Sequence, residues 1–86
     1  MTYYRTKNEH SFYKSKGDKW LLVVKKNSHS CKKQLYRLGQ YTDYFKILEV
    51  KDAMETFHIK KPKYVPCWVD LETRELKYGI KYIYEL

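Results

Sequence analysis

The sequence predicts a small α+β fold, in which an antiparallel sheet of about five strands packs with one short helix. Two strictly alternating segments near the C-terminus, an uninterrupted apolar run at residues 20–24, and helically spaced apolar residues between 47 and 57 support this prediction. The 86 residues are too few for a second domain, so we expect one domain over residues 1–86.

The C-terminal hairpin has the clearest pattern. Aliphatic or cysteine side chains recur at every second position over 64–71, and large apolar side chains do so again over 76–86, which is typical of half-buried strands. The polar residues 72–75 between them suit a short hairpin loop. Pro66 has no backbone N–H, so we expect the first of these strands to lie at a sheet edge or to carry a bulge.

Five other segments are predicted to be extended. The Val-rich run that starts at Trp20 and continues to Lys26 has the composition of a central strand. Residues 34–38 and 44–50 flank Gly39 and Asp43, which predicts a second hairpin with a longer loop. The short aromatic segments at 2–6 and 11–14 are predicted to be strands or an extended arm.

One helix is predicted at about residues 51–58. Asp52 and Glu55 have the spacing of a capping box, and Val50, Met54 and Phe57 fall on one helical face. The helix should end before Pro62, because the residue preceding a proline is pushed out of the helical region. The same spacing also permits a single helix over 43–58; we favour a strand up to residue 50 followed by the helix.

The composition indicates a soluble, cytoplasmic protein without a membrane partner. Its longest apolar run is five residues, whereas a membrane span needs about 20 and a signal peptide about 7–15. Cys31 and Cys67 are the only cysteines, and two are too few for a disulfide scaffold, so we expect both to be reduced. The ten tyrosines supply apolar area that the aliphatic residues lack.

The net charge of +8 is concentrated in one part of the chain. Residues 1–46 carry 11 basic and 3 acidic side chains, whereas residues 47–86 carry 7 of each. The chain thus has a basic N-terminal half (1–46) and a charge-neutral C-terminal half (47–86). The excess is densest from Lys14 to Arg37, where Asp18 is the only acidic residue.

Within this window, two lysine pairs at 25–26 and 32–33 bracket a short polar segment that contains His29. If the flanking runs pair as a hairpin, these groups meet at one end of the sheet and form an anion-binding surface. Lysines that neutralise phosphates release condensed counterions, which is the main source of sequence-independent affinity for nucleic acids. Tyr13, Trp20 and Tyr36 lie in the same window and are candidates for stacking on bases.

We therefore expect a small non-enzymatic module that binds a polyanion, which is nucleic acid, a nucleoprotein complex or an acidic protein surface. Lysines number 15 and arginines 3, and lysine acts as a point charge, so contacts should fall on the phosphate backbone with little sequence selectivity. The residues predicted to make these contacts are Lys14, Lys16, Lys25, Lys26, His29, Lys32, Lys33 and Arg37.

A second hypothesis is a small inhibitor or modulator that binds a larger protein or nucleoprotein enzyme. Tyr64 and Trp68 lie on the side of their predicted strand opposite to Val65, Cys67 and Val69. If those three residues face the core, Tyr64 and Trp68 form an outward aromatic stripe suited to a protein target or a homodimer.

A third hypothesis is a compact, metal-free, toxin-like RNase. His10, His29 and His58, together with lysines, are the residue types that such an enzyme uses to move protons and hold phosphate. Spacing along the chain does not bring these histidines together, so no catalytic residue is predicted. No metal or cofactor is predicted either, because the chain lacks paired metal-ligand motifs and glycine-rich nucleotide loops.

Overall fold

The computed structural model describes the backbone of residues 7–86 and the side chains of residues 10–86. The predicted extended segment at 2–6 lies outside the described residues. In chain order, the elements are helix α1 (Lys7–Lys19), strand β1 (Trp20–Val24), helix α2 (His29–Leu38), a 3₁₀ helix (Gly39–Tyr44), strand β2 (Lys46–Glu49), helix α3 (Val50–Phe57), strand β3 (Cys67–Asp70), strand β4 (Leu76–Tyr78) and a second 3₁₀ helix (Ile83–Glu85).

The fold is α+β, as the sequence predicts, but its sheet has four strands and is mixed. The strand order is β2-β1-β3-β4. Strand β1 pairs in parallel with β2 and antiparallel with β3, which in turn pairs antiparallel with β4. The prediction of a wholly antiparallel sheet is wrong because α2 connects β1 to β2, and a helical crossover returns the chain in the same direction.

Helices cover both faces of the sheet and create two hydrophobic cores. Leu21 and Val23 of β1 point to one face, where they pack with Ala53 of α3. Trp20 and Leu22 point to the other face, where they pack with Leu38 of α2. The prediction of a central strand at this position is confirmed, because β1 lies between two strands and buries both of its faces.

The largest error of the sequence prediction concerns residues 34–38, which belong to α2 and not to a strand. Ser28 precedes this helix as its N-cap, with its side chain accepting a hydrogen bond from the backbone N–H of Cys31 at 3.3 Å. The residues of α2 that face the core are Cys31, Gln34 and Leu38, at helical intervals of three and four. Because Gln34 is polar, this buried stripe is not visible as an apolar pattern.

The predicted extended segment at 11–14 is also wrong, since these residues lie within α1. This helix packs against the first 3₁₀ helix: Tyr13 stacks on Tyr41 with 4.3 Å between ring centres. Gly17 lies directly against the backbone of Tyr44. These contacts join residues about 30 positions apart, so no local pattern indicates them.

The predicted C-terminal hairpin is present but shorter. Its strands are Cys67–Asp70 and Leu76–Tyr78 instead of 64–71 and 76–86. Strand β3 lies in the interior of the sheet and is not the predicted edge strand. Pro66, which has no backbone N–H, is compatible with this position because it precedes the strand. Gly79 has φ +99, a conformation that favours glycine, and β4 ends at the preceding residue.

The helix predicted at 51–58 is confirmed as Val50–Phe57, and the preference for a strand before it is confirmed by β2. The predicted capping box is not formed. The N-cap of α3 is Glu49, which makes no side-chain cap, and Asp52 lies inside the first turn. His58 ends the helix in the left-handed conformation.

Candidate functional site

The β1–α2 unit gathers six of the eight predicted basic residues. Lys25 and Lys26 directly follow β1, and Ser28 then caps α2, which carries the other four. We use the name basic surface for these six residues, which are Lys25, Lys26, His29, Lys32, Lys33 and Arg37.

The four basic residues of α2 lie on its exposed side. His29 and Lys33 are four positions apart, and Lys33 and Arg37 are again four apart, so they follow one another along a helical face. Lys32 lies beside them, and Tyr36, which is 89% exposed, belongs to the same face. The opposite side of α2 carries the buried residues. The predicted hairpin is wrong here, but the helix brings these charges together by a different geometry.

An open groove of about 930 Å³ extends the basic surface on the other side of the β1–α2 turn. It lies where β1 and β2 both end, which is the edge of a parallel pair at which ligands bind in open sheets with helical crossovers. Five of the residues that line the groove are lysines: Lys25, Lys26, Lys51, Lys61 and Lys63. Glu49 and Glu55 also line it, while Val50, Met54, Pro62 and Val65 supply apolar surface.

Among the described residues, no side chain of the basic surface forms an ion pair. The one ion pair among the described side chains joins Lys19 and Asp70, with 3.6 Å between Nζ and Oδ2. The chain has no acidic residue between Lys19 and Asp43, and the first turn of α2 has none. The basic surface therefore presents its cationic groups to solvent.

The other two predicted basic residues, Lys14 and Lys16, lie on α1, a different element. The ammonium group of Lys16 donates a hydrogen bond to the backbone carbonyl of Leu86 and lies 5.5 Å from the ring centre of Phe12. Lys14 lines a shallow depression together with Asp18 and Glu72. The structure thus places Lys14 beside acidic residues and joins Lys16 to the C-terminal residue, and neither belongs to the basic surface.

The aromatic stripe predicted from Tyr64 and Trp68 does not form. Trp68 is 0% exposed, since α2 covers the face of β3 that was predicted to be open. Its indole N–H donates to Gln34 Oε1 at 3.2 Å. Tyr64 is 69% exposed at the rim of the groove and meets Tyr78 edge to face, with ring centres 5.8 Å apart. Of the two predicted interface residues, only Tyr64 is accessible to a partner.

Of the three candidates for base stacking, one is accessible. Trp20 is buried in the core, and Tyr13 is half-buried in its stack with Tyr41, whereas Tyr36 is exposed.

A second group of accessible aromatic side chains was not predicted. Tyr82 and Tyr84 stack with their ring centres 5.3 Å apart and their planes nearly parallel, and Arg37 places its guanidinium 4.4 Å from the centre of the Tyr82 ring. The alternation of residues 76–86 predicts a strand, and a strand does not bring Tyr82 and Tyr84 into a stack beside α2.

The three histidines of the RNase hypothesis lie on different elements. His29 begins α2 at the edge where β1 ends, on one face of the sheet. His58 ends α3, which covers the other face and extends about 12 Å away from the same edge. His10 lies on α1 and shares a hydrogen bond of 2.9 Å with the hydroxyl of Tyr44. The structure does not bring His29 and His58 together as a proton-transfer pair.

The two cysteines are free thiols that belong to opposite faces of the sheet. Cys31 lies in α2 and accepts a hydrogen bond from the backbone N–H of Lys25 at 3.4 Å. Cys67 packs with Val23 in the other core, and burial raises the pKa of its thiol to about 11. Cys67 is therefore protonated at neutral pH.

The start of α2 has the spacing of a dithiol redox motif but only one of its thiols. In C-x-x-C motifs the cysteines lie at a helix N-terminus near a βαβ unit, and here Ser28 and Cys31 occupy the two positions. The serine hydroxyl instead serves as the helix cap. Over the described residues, no group of three histidine, cysteine or carboxylate side chains is placed to hold a metal ion.

Comparison of the chain with protein-family models, with curated proteins and with solved structures finds no significant match. Within residues 7–86, no helix combines the length and the apolar character that crossing a lipid bilayer requires.

Proposed function

We propose that this protein is a non-enzymatic binding module whose basic surface contacts the phosphate backbone of a nucleic acid. The observation that carries this proposal is the β1–α2 unit, which presents six cationic or ionisable side chains on one exposed surface with no carboxylate partner among the described residues. The adjoining groove adds Lys51, Lys61 and Lys63 along the path that a polymeric anion would follow.

The position of these charges on α2 favours an external anion. The N-terminal end of a helix carries a partial positive charge, so each cation near it destabilises the helix by about 0.3–1 kcal/mol. The first turn of α2 nevertheless lacks acidic residues, and Lys25 and Lys26 precede its N-cap. A phosphate bound here would receive the combined field of the helix and the side chains. A bound polyanion would thus reduce the repulsion between these lysines and the positive end of α2, which no acidic side chain of the first turn reduces.

The test is a titration of binding against salt concentration. We expect the affinity for a fluorescein-labelled 20-base-pair DNA duplex to fall with a log–log slope of about −4, which corresponds to about four or five phosphates neutralised. Because the surface is rich in lysine, the affinity should depend little on base sequence.

Charge-reversal variants distinguish the contribution of the basic surface to DNA affinity from that of the net charge of the protein. The double variant Lys32→Glu/Lys33→Glu should weaken binding at least about tenfold and reduce the steepness of the slope. The matched control is Lys14→Glu/Lys46→Glu, which changes the net charge equally but places the charges on α1 and at the start of β2. Equal loss of affinity in both double variants, or no binding to DNA or RNA at low salt, would overturn the proposal.

A polyglutamate chain of equal length distinguishes the two kinds of polyanion. Its carboxylates provide the charge of an acidic protein surface without phosphates. We expect it to bind more weakly than the oligonucleotide. Polyglutamate binding as tight as the oligonucleotide would show that the surface has no preference for phosphates, which would overturn the assignment to nucleic acid.

A further inference from the structure

We infer, on the basis of the proposed function, that the nucleic acid bound at the basic surface is single-stranded and that its bases stack on the exposed tyrosines beside that surface. These rings are Tyr36, Tyr64 and Tyr84, which are 89%, 69% and 73% exposed.

The three tyrosines all lie close to the exposed side of α2. Tyr64 shares a shallow depression with Ser30, in the first turn of α2. At the other end of the helix, Arg37 contacts the ring of Tyr82, on which Tyr84 stacks. Ser30 and Arg37 are separated by about 10 Å along the helix axis. Aromatic rings therefore occur at both ends of the part of the basic surface that α2 carries, and Tyr36 lies between them.

The C-terminal rings are held in place by hydrogen bonds, of which the two to Gln34 are partly buried. Gln34 accepts from the backbone N–H of Lys81 at 2.6 Å and donates to its carbonyl at 2.9 Å, so the segment that follows is fixed against α2. The backbone N–H of Tyr82 donates to Glu85 Oε2 at 2.7 Å, which closes the last 3₁₀ turn. Tyr84 thus projects from an ordered turn, and a ring that is already positioned loses less entropy when a base stacks on it.

Two lysines lie beside Tyr36 on the surface of α2. Lys32 and Lys33 precede Tyr36 by four and three residues, so their side chains are its neighbours on the helix surface. A base on the Tyr36 ring would therefore have its own backbone within reach of two ammonium groups. The bases of a duplex are already paired and stacked and cannot reach such rings, whereas those of a single strand can.

The experiment compares single- and double-stranded probes on ring and charge variants. The probes are fluorescein-labelled 20-nucleotide oligo(dT), oligo(rU) and a 20-base-pair DNA duplex. We expect both single strands to bind more tightly than the duplex. Tyr36→Leu and Tyr84→Leu should each weaken single-strand binding about tenfold, while leaving duplex binding and the salt slope unchanged.

Two controls test whether the ring itself is responsible. Tyr36→Phe keeps the aromatic face and should bind single strands like the unaltered protein. Phe12→Leu removes an exposed ring from α1, away from the basic surface, and should have no effect. Circular dichroism of each variant confirms that the fold is retained.

The possible results separate this inference from the proposed function. If Lys32→Glu/Lys33→Glu reduces binding while the leucine variants do not, or if the leucine variants reduce duplex and single-strand binding equally, the inference is overturned and the polyanion surface stands. If the lysine variants do not reduce binding to any probe, the proposed function itself is overturned.

Discussion

Gln34, fully buried in α2, accepts the indole N–H of Trp68 from the neighbouring strand β3 at 3.2 Å. The same oxygen also accepts the backbone N–H of Lys81, and the amide nitrogen donates to the Lys81 carbonyl. One polar side chain thus connects a helix, the sheet and the C-terminal segment.

The substitution Gln34→Leu should therefore lower the free energy of unfolding by about 3 kcal/mol, since it leaves several buried polar groups without partners. Urea denaturation followed by tryptophan fluorescence measures the loss. The control Gln40→Leu changes an exposed glutamine and should stay within about 0.5 kcal/mol of the unaltered protein. If the two variants unfold at the same urea concentration, Gln34 does not have this role.

The Ser28 cap allows stability and binding to be changed in opposite directions. Ser28→Ala should cost about 1 kcal/mol, because the backbone N–H of Cys31 loses its acceptor. Ser28→Asp restores the cap and adds a carboxylate at the positive end of the helix, so it should be more stable than the alanine variant. It should nevertheless bind DNA more weakly than the alanine variant, since its negative charge lies within the basic surface.

Thermal unfolding and DNA titration of both Ser28 variants test this prediction. Ser30→Ala, at an exposed position two residues later in the same helix, should lose no stability. An aspartate variant that is more stable and also binds DNA more tightly would contradict the predicted effect of charge.

Gly17 should not tolerate alanine, although it lies in a helix. A Cβ atom at this position would be 1.8 Å from the carbonyl oxygen of Tyr44, so α1 and the first 3₁₀ helix would have to separate. Glycine to alanine in a helix interior usually stabilises by up to about 1 kcal/mol. Here we expect Gly17→Ala to destabilise by about 2–3 kcal/mol.

Urea denaturation measures the sign of this change. Ser15→Ala, on the exposed side of the same helix, should be neutral or slightly stabilising. A Gly17→Ala protein as stable as Ser15→Ala would show that α1 does not approach Tyr44 so closely.

Asp70 should make stability depend on pH in the acid range. Burial raises its pKa, but the backbone N–H groups of Glu72 and Thr73, at 2.8 and 3.2 Å, and the Lys19 ammonium together hold the pKa below its usual value. The folded state therefore binds this proton less readily than the unfolded chain. The carboxylate stabilises the fold above the unfolded pKa of about 4, and this contribution is lost as the pH falls through the lower folded value.

We thus expect Asp70→Asn to be less stable than the unaltered protein at pH 7 and the difference to shrink as the pH falls below about 4. Urea midpoints measured between pH 7 and pH 3 test this. A difference that stays constant over that range would mean that the Asp70 carboxylate is not stabilised by folding.

Local sequence patterns correctly predicted the elements whose characteristic residue spacing lies within the element itself. The apolar run of β1, the alternation around β3 and β4, and the spacing of Val50, Met54 and Phe57 in α3 all depend on residues within one element. They failed for α2, because its buried face includes the polar Gln34, which is satisfied by partners 34 and 47 residues away.

The sequence by itself determined, through its local patterns, that this is a small α+β protein, and through its charge distribution that the positive charge is concentrated between Lys14 and Arg37. The tertiary structure decided which of these charges lie together. The β1–α2 unit places five of them on one surface together with His29, whereas Lys14 and Lys16 lie on another helix. Helix α2 also buries Trp68 beneath itself. The physical reason is that the direction of a side chain depends on whether a helix or a strand carries it. Helix α2 is stabilised by buried contacts with residues that are distant in the sequence, so its position could not be read from local patterns.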